Sequence, residues 1–236
     1  MEILLDGPPH DSGIQSLGGP VREQKLWLEI MELAPRAKTL PEQKKLDYLI
    51  AEVLDGYTCT SDIPAVLLTP EILRVYPDAI VIATTRDPAP WYESVLFMKS
   101  MTSKWYIPFI VFWIPGANNL PKWDRLRQRM TLWRMGYAEF ESETCLADHE
   151  AHLRSVIPPE KLFWFRPKEG WEPLCEILGV EVPKDKPFPH SNSKEDASRV
   201  VRQIVVTGLV MWTGVIGAAG CVSWLAWNGW GRFMIG

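Results

Sequence analysis

A short apolar run followed by a polar turn and a helical pattern constrains the fold of this chain most. Residues 79–83 read AIVIA, and a turn containing Pro88 and Pro90 follows. A continuous apolar strand rich in β-branched residues is typical of a parallel sheet that is covered on both faces. Open α/β sheets bind ligands in the loops at the carboxyl ends of such strands. The sequence therefore predicts a ligand site in the loop after this strand.

Two side chains near this turn suit a phosphate. Arg86 stands at the exit of the strand, and Ser94 follows eight residues later in the first turns of the predicted helix. A guanidinium matches a phosphate with two parallel hydrogen bonds, and a hydroxyl near a helix N-terminus adds a donor where the helix dipole favours an anion. We interpret the pair as a phosphate clamp. The alternative is that Arg86 pairs with Asp87 or Glu93 and that Ser94 faces solvent.

Strand and helix patterns alternate along most of the chain. Residues 1–6 are predicted to be helical and a loop to run to residue 20. Further strands are predicted at 57–60, 79–84 and 162–165, and helices at 21–34, 41–55, 64–76, 88–103, 120–136, 144–157 and 171–178. This alternation is typical of an α/β fold with a parallel sheet flanked by helices. We predict that such a domain occupies residues 1–193.

Charge argues against nucleic acid as a partner. The net charge is -4, and no basic face dominates the chain. The helix predicted at 120–136 does carry five cationic residues, which could meet an anionic surface. We favour the alternative that this face is solvated and paired with carboxylates.

Cysteine and histidine spacing favours a reduced protein without a metal. The four cysteines show no C-x-x-C pairing, which indicates buried thiols rather than disulfides or a zinc site. His149 and His152 could share one helix face, but no third ligand follows at a metal-binding spacing. We therefore expect no metal site.

An aromatic segment interrupts the second half of the domain. Residues 105–116 read WYIPFIVFWIPG, which is too short to span a bilayer. The segment could be a buried lid or part of the core. Alternatively, it is an interfacial patch that lies on a membrane or lines an apolar substrate pocket.

The C-terminal stretch predicts a membrane anchor. Residues 203–231 contain no charged residue, and a bilayer needs roughly 20 apolar residues in a helix. Three tryptophans at one end fit an aromatic belt, and Arg199 and Arg202 at the other end place the globular part in the cytosol. We predict a polar linker at 194–202 and a C-terminal transmembrane helix at 203–231. The alternative is a buried core helix.

The motif T-x-R-D-P-x-x-W-x-x-S at residues 84–94 resembles the 3′-phosphate-binding segment of the fungal sulfotransferase-like family. Other segments of that family occur in the same order over nearly the whole chain. They are LLDGP at 4–8, LDGY at 54–57, SDIPA at 61–65, YPDA at 76–79, VIPPEKLFWF at 156–165, EGWEPLCEILG at 169–179 and VPKDKPFPHSNS at 182–193. The resemblance implies a sulfotransferase-like fold.

The resemblance also implies functional residues. Arg86 and Ser94 would bind the 3′-phosphate of 3′-phosphoadenosine-5′-phosphosulfate, with Trp171 as a stacking surface for the nucleotide. His10 follows LLDGP, where the family often carries a histidine, and is the best candidate base. Asp62, at the end of the second strand, could orient a substrate hydroxyl or act as base. The alternatives are a loop histidine at 10, a helix N-cap at 62 and a core tryptophan at 171.

One departure from the family pattern affects the expected activity. The family begins with a strand and a G-x-P-R-T-G-T-x-S loop that holds the 5′-phosphosulfate, whereas residues 1–5 resemble the end of the following helix. No Gly-rich phosphate loop of standard spacing occurs in the sequence. We expect the first strand and the main anion site to be missing. An exposed sheet edge at that place would favour a homodimer.

Three hypotheses about function follow. In the first, a membrane-anchored sulfotransferase-like protein acts on a small apolar metabolite without sulfonate transfer. In the second, the protein is an authentic sulfotransferase whose N-terminal segment precedes Met1. In the third, it is a non-catalytic, membrane-anchored binding or scaffold protein.

Overall fold

The computed structural model of this chain describes residue 4 and residues 7–189 and 194–233. Within that part of the chain, the strands are β1 (Pro9–Asp11), β2 (Cys59–Ser61), β3 (Val81–Thr84) and β4 (Leu162–Phe165). The α-helices are α1 (Ser12–Gly18), α2 (Val21–Leu33), α3 (Leu40–Leu54), α4 (Thr69–Val75), α5 (Pro88–Thr102), α6 (Ile107–Ile110), α7 (Leu120–Met135), α8 (Thr144–Val156), α9 (Trp171–Leu178) and α10 (Lys194–Phe233). Short 3-10 helices occur between them.

The strands pair in parallel, as an α/β fold predicts. β1 lies beside β2, with His10 opposite Thr60, and β3 lies beside β4, with Ala83 opposite Trp164. In the described part of the chain these pairs form two separate two-stranded sheets. The expectation that the 79–83 run is covered on both faces is wrong, because Ala83 is buried but Ile80 is 41% exposed. A pair this narrow is only partly covered by its neighbours.

The main apolar core lies among α2, α3, α7 and the 3-10 helix Ala65–Leu68. The predicted helices at 21–34, 41–55 and 120–136 are confirmed within one residue. Thr39 and Glu42 form a capping box at the start of α3, which satisfies free amides of the first turn. The fully buried core side chains include Trp27, Ile30, Met31, Ile50, Leu68 and Met130.

The predicted loop over residues 7–20 is wrong, because these residues form β1 and α1. β1 exists through its pairing with β2, which a local pattern does not reveal. α1 contains glycines that disfavour a helix, yet it is tied to β2 by the buried Ser12 hydroxyl, which donates to the carbonyl oxygens of Ser61 and Asp62 at 2.8 and 2.9 Å. The helix predicted over residues 1–6 lies outside the described residues apart from Leu4.

The C-terminal helix α10 is long and apolar. Its stretch Ser198–Trp227 has the length and composition to cross a membrane, and only 6% of its most apolar window is buried. The alternative of a buried core helix therefore does not fit. The residues predicted as a polar linker, 194–202, are the first turns of this same helix.

Candidate functional site

A cationic edge lies at the carboxyl ends of β3 and β4. β3 leads into Arg86 and Asp87, and β4 leads into Arg166 and Lys168. The two loops meet because the strands are parallel neighbours. The Asp87 carboxylate lies 3.6 Å from the Arg166 guanidinium and 3.6 Å from the Lys168 ammonium. We call Arg86, Arg166 and Lys168 the cationic edge.

Arg86 and Ser94, which the sequence singled out, do meet. The Arg86 guanidinium donates from Nη2 to the Pro90 carbonyl at 2.5 Å and to Ser94 Oγ at 3.2 Å. Ser94 Oγ in turn donates to the same carbonyl at 3.0 Å. No ion pair of Arg86 with Asp87 or Glu93 forms within the part of the chain that the structure describes. Phosphate binding by this pair stays a prediction.

The N-terminus of α5 offers few backbone donors to an anion. Pro88 and Pro90 occupy its first turn, and proline has no amide hydrogen. The Trp91 amide already donates to the Asp87 carbonyl at 3.2 Å. A phosphate at this edge would therefore be held mainly by side chains, with the helix dipole as a secondary contribution.

Sequence reasoning missed Arg166 and Lys168. Both side chains are exposed at the start of the loop after β4, and the Thr85 amide donates to the Phe165 carbonyl beside them at 2.9 Å. The available signal was the R-P-K triplet directly after a predicted buried strand. That signal becomes specific only when β4 is known to be the neighbour of β3.

A carboxylate pair lies at the ends of β1 and β2. A Cβ built on Gly13 would lie 2.3 Å from Asp62 Oδ2 and 3.4 Å from Asp11 Oδ1, so both side chains approach the same point. Asp11 accepts from the Ile14 amide at 2.9 Å as the N-cap of α1. Asp62 Oδ1 accepts from the Ile63 amide at 2.7 Å. Asp11 had not been identified from the sequence, because the region was read as a loop.

Asp62 has two unusual properties. Although Asp62 as a residue is exposed, desolvation of its carboxyl group raises the pKa, the Ile63 hydrogen bond lowers it, and the nearby Asp11 adds a smaller rise. Its backbone has φ +66°, a conformation that costs a non-glycine residue free energy and is frequent at functional sites. Its side chain does not cap the following 3-10 helix. A raised carboxyl pKa suits general acid–base chemistry.

His10 is buried in β1, not in a loop. Only 1% of the residue is exposed. Its Nδ1 lies 3.2 Å from Thr60 Oγ1, and the Trp27 indole donates to its Nε2 at 3.4 Å. The edge of the Tyr57 ring packs on the imidazole at a centroid distance of 4.6 Å. The role of His10 as a base stays a prediction, and in this arrangement the ring has almost no exposed surface.

Glu23 completes the surroundings of His10. Its Oε1 accepts from the Tyr57 hydroxyl at 3.0 Å. Its Oε2 lies 3.7 Å from His10 Nε2 and has no hydrogen-bond partner among the described residues. Burial lowers the pKa of His10, and the charges of Glu23 and Asp11 oppose this shift only in part. His10 is therefore neutral at pH 7, with Nε2 accepting from Trp27.

Trp171 has the contacts of a core residue. It is buried at the start of α9, and its indole donates to the Lys186 carbonyl at 2.8 Å. The Phe188 ring packs against it edge-on at 4.8 Å, and Phe165 belongs to the same apolar cluster. Phe165 directly precedes Arg166, so this apolar cluster fixes the backbone from which the Arg166 side chain extends. Stacking of a nucleotide base on Trp171 stays a prediction.

Other charged residues are engaged within the domain. Arg127 of α7 pairs with Glu139 at 2.6 Å, and Arg134 pairs with Glu71 at 2.6 Å, which fits the paired interpretation of this basic helix. Across the described residues there is no group of three or more histidine, cysteine, aspartate or glutamate side chains placed to hold a metal.

Comparison with known proteins identifies the family. The family model described as a sulfotransferase domain matches residues 1–197. A relative from Aspergillus versicolor, Ava biosynthesis cluster protein M, is 28% identical over 173 residues, which is 70% of this chain and 65% of that protein. The chain thus spans somewhat less than two thirds of the relative. The match over residues 1–197 and the fungal relative together place this chain in the fungal sulfotransferase-like family that its T-x-R-D-P-x-x-W-x-x-S segment predicted.

Proposed function

We propose that this chain is a membrane-anchored sulfotransferase-like protein that acts on a small apolar metabolite and holds a phosphate of a nucleotide at its cationic edge. The observation that carries the proposal is the contact between Arg86 and Ser94 at 3.2 Å, next to Arg166 and Lys168 from the neighbouring strand. The relative's membership of a biosynthesis cluster supports a metabolite as the substrate.

The side chains of the cationic edge can exchange their present ion pairs for hydrogen bonds to a phosphate at a small cost in free energy. Arg166 and Lys168 are exposed and pair with Asp87 only at 3.6 Å. Exposed ion pairs of this kind contribute about 0–1 kcal/mol, whereas hydrogen bonds from cations to phosphate are short and strong. Among the described residues, the Arg86 guanidinium uses Nη2 for its bonds to Pro90 and Ser94, so its Nε and Nη1 hydrogens can be donated to a ligand.

We assign the acid–base step to Asp62 rather than to His10. The Asp62 residue reaches solvent, whereas the His10 ring is enclosed by Trp27 and Tyr57. A carboxyl with a raised pKa can exchange a proton with a metabolite hydroxyl more readily near neutral pH. Desolvation keeps that pKa raised, and the charge of Asp11 adds a smaller contribution.

Sulfonate transfer is not part of the favoured proposal. Residues 1–236 contain no Gly-rich phosphate loop, and removing even one donor to a developing oxyanion costs about 10²- to 10³-fold in rate. The second candidate is an authentic sulfotransferase that uses 3′-phosphoadenosine-5′-phosphosulfate. The retained Arg86–Ser94 contact and the greater length of the relative favour it. Mapping the transcript upstream of Met1 separates the two, because an in-frame G-x-P-R-T-G-T segment would establish the second.

The membrane part of the proposal rests on α10. Its apolar stretch is exposed nearly throughout, which a bilayer would cover. Arg199 and Arg202 at its domain-proximal end support a cytosolic position of the domain, because positively charged flanks favour the cytosolic side.

Nucleotide binding is tested directly by calorimetry with adenosine 3′,5′-bisphosphate and the full chain in detergent. We expect binding, and we expect Arg86→Ala to weaken it by about tenfold or more because a charge-assisted hydrogen bond is lost. Adenosine 5′-monophosphate, which lacks the 3′-phosphate, should bind weakly. Arg22→Ala is the matched control, since Arg22 is exposed and pairs with Glu52. No binding, or equal affinities of the two variants, would overturn the nucleotide proposal.

Catalysis is tested separately with Asp62→Asn in the producing organism. We expect loss of the metabolite product while adenosine 3′,5′-bisphosphate still binds. Full production by this variant would exclude Asp62 as the base and would favour the third hypothesis, a non-catalytic binding or scaffold protein.

A further inference from the structure

The region between α5 and α7 presents large aromatic side chains to the outside. We call residues 105–113, which include α6 and the 3-10 helix after it, the aromatic segment. Trp105 is 80% exposed and Phe109 is 64% exposed. Tyr106, Phe112 and Trp113 are also exposed. A contiguous apolar patch of this kind marks a contact surface rather than ordinary protein surface.

The aromatic segment lies directly against α10. The Trp212 indole donates to the Phe109 carbonyl at 2.7 Å, and the Trp113 and Trp212 rings pack perpendicular to each other at 5.9 Å. A Cβ built on Gly208 would lie 2.4 Å from the Ile110 carbonyl oxygen. The two backbones therefore meet at Gly208, and the patch is continuous with the exposed surface of α10.

The position of this contact along α10 matches the boundary of a bilayer. A hydrocarbon core of about 30 Å takes roughly 20 helical residues. The charge-free stretch of residues 203–231 is longer than this, and its contact with the aromatic segment, at Gly208 and Trp212, lies in the third nearest the domain. The aromatic segment thus lies beside the end of this stretch that adjoins the domain, and tryptophan and tyrosine are favoured where such an end meets the lipid headgroups.

The charges around the patch fit an anionic lipid surface. Residues 94–123 and 197–236 contain no aspartate or glutamate, although the whole chain has 29 of these residues. The charged residues of these two stretches near the contact are Lys99, Lys104, Arg199 and Arg202, and Lys99 pairs with Glu139 at 3.5 Å. Lysine and arginine near a membrane surface are attracted by anionic lipids.

We propose that the aromatic segment inserts into the headgroup region of an anionic bilayer beside α10, as a second membrane contact of this protein. This inference rests on the proposed anchor and goes beyond it, because a second membrane contact beside α10 restricts the tilt of the domain on the bilayer more than the helix alone does. α5 transmits that orientation to the cationic edge. Its first turn holds Arg86 through Pro90, and its last turn meets α10, where Ser198 Oγ donates to the Met101 sulfur at 3.9 Å.

Depth-dependent fluorescence quenching tests the proposal with the full chain in vesicles of phosphatidylcholine and phosphatidylserine. A polarity-sensitive dye is attached to single cysteines in a Cys59→Ser, Cys221→Ser background, which leaves the buried Cys145 and Cys175. Phe109→Cys reports on the aromatic segment, and Trp105→Cys repeats the measurement at a second position. Tyr48→Cys is the matched control, because Tyr48 is 65% exposed on α3. Ile216→Cys reports on the middle of the span.

We expect lipids that carry a quencher near the headgroup to quench the dye at 109 and 105 several-fold more strongly than the dye at 48. Aqueous iodide should quench position 48 and spare the other two. If iodide quenches position 109 as it does position 48, the proposal is wrong. It is also wrong if both quenchers spare position 109, because a second copy of the chain or a bound substrate then covers the patch.

The same measurement separates this proposal from the one on which it rests. If quenchers deep in the bilayer do not reach the dye at 216, both the proposed anchor and this inference are wrong. If lipid quenchers reach the dye at 216 but iodide quenches the dye at 109, the anchor stands and only the second membrane contact is disproved.

Discussion

The region around α2, α3 and α7 and the region around α5, the aromatic segment and α10 use similar apolar residues in opposite ways. In the first region Trp27, Ile50 and Met130 are fully buried. In the second, Trp105 and Ile216 are largely exposed, and α5 contains no buried residue.

The difference shows that apolar composition alone does not define a core. Apolar residues leave water either by packing against each other or by entering lipid. The first region has three helices that cover one another. The second has a helix too long for the domain to cover, and we propose that a bilayer takes the place of the missing layer. The predictions below test this contrast, from the largest expected effect to the smallest.

The same isoleucine-to-alanine change should have different effects in the two regions. Ile50→Ala removes a fully buried side chain and should lower the free energy of unfolding by about 2–5 kcal/mol. Ile216→Ala shortens a side chain that is 65% exposed, and it should change the free energy of unfolding by about 0.5 kcal/mol or less. Chemical denaturation of the full chain in detergent micelles measures both. Equal losses would mean that α10 is packed within the protein.

The pH dependence of stability near neutrality should arise in the first region. Burial keeps the pKa of His10 below its ordinary 6.5, so the unfolded chain binds the proton more readily than the folded one. This contribution is fully present above about pH 6.5 and is lost as the pH falls through the lower folded pKa, at up to about 1.4 kcal/mol per pH unit.

His10→Gln should therefore flatten the fall in unfolding free energy below about pH 6.5, as measured by denaturation at a series of pH values. His149 and His152, whose pKa values burial also lowers, would supply the remaining slope. An unchanged slope in His10→Gln would show that His10 is not held neutral by the fold.

Two glycines of α10 distinguish its contact with the aromatic segment from its free surface. Gly214 has open space around a built Cβ, so Gly214→Ala should be neutral or stabilising by up to about 1 kcal/mol. At Gly208 the added methyl would meet the Ile110 carbonyl at 2.4 Å, so Gly208→Ala should lower the melting temperature in detergent. A rise of the same size in both variants would show that α10 and the aromatic segment do not pack together.

The cationic edge should affect binding without affecting stability. Arg166→Ala breaks only an exposed pair at 3.6 Å and should change the unfolding free energy by about 0.5 kcal/mol or less. Its affinity for adenosine 3′,5′-bisphosphate should fall about tenfold, because a charged donor to phosphate is lost. Arg36→Ala is the control, since Arg36 is exposed and pairs with Glu32. An unchanged affinity would exclude Arg166 from the site.

Local features of the candidate site were predictable, and distant ones were not. Arg86 and Ser94 lie on one strand–turn–helix unit, so their spacing placed them together before the structure was known. Asp62 was identified at the end of a predicted strand, but its neighbour Asp11 was not. Arg166 was missed because its position beside Arg86 follows from a strand pairing across most of the domain.

The sequence by itself determined the family, the α/β class, the helices that carry the core and an apolar C-terminal helix long enough to cross a membrane. These properties follow from motifs and from periodicities of a few residues, which local steric and solvation preferences dictate. Only the tertiary structure decided that His10 is enclosed by Trp27 and Tyr57, that the strands of the described residues form two separate pairs, and that the aromatic segment packs on α10 at Gly208. Such contacts join residues far apart in the chain, and they form where packing and hydrogen bonding outweigh the entropy of closing long loops.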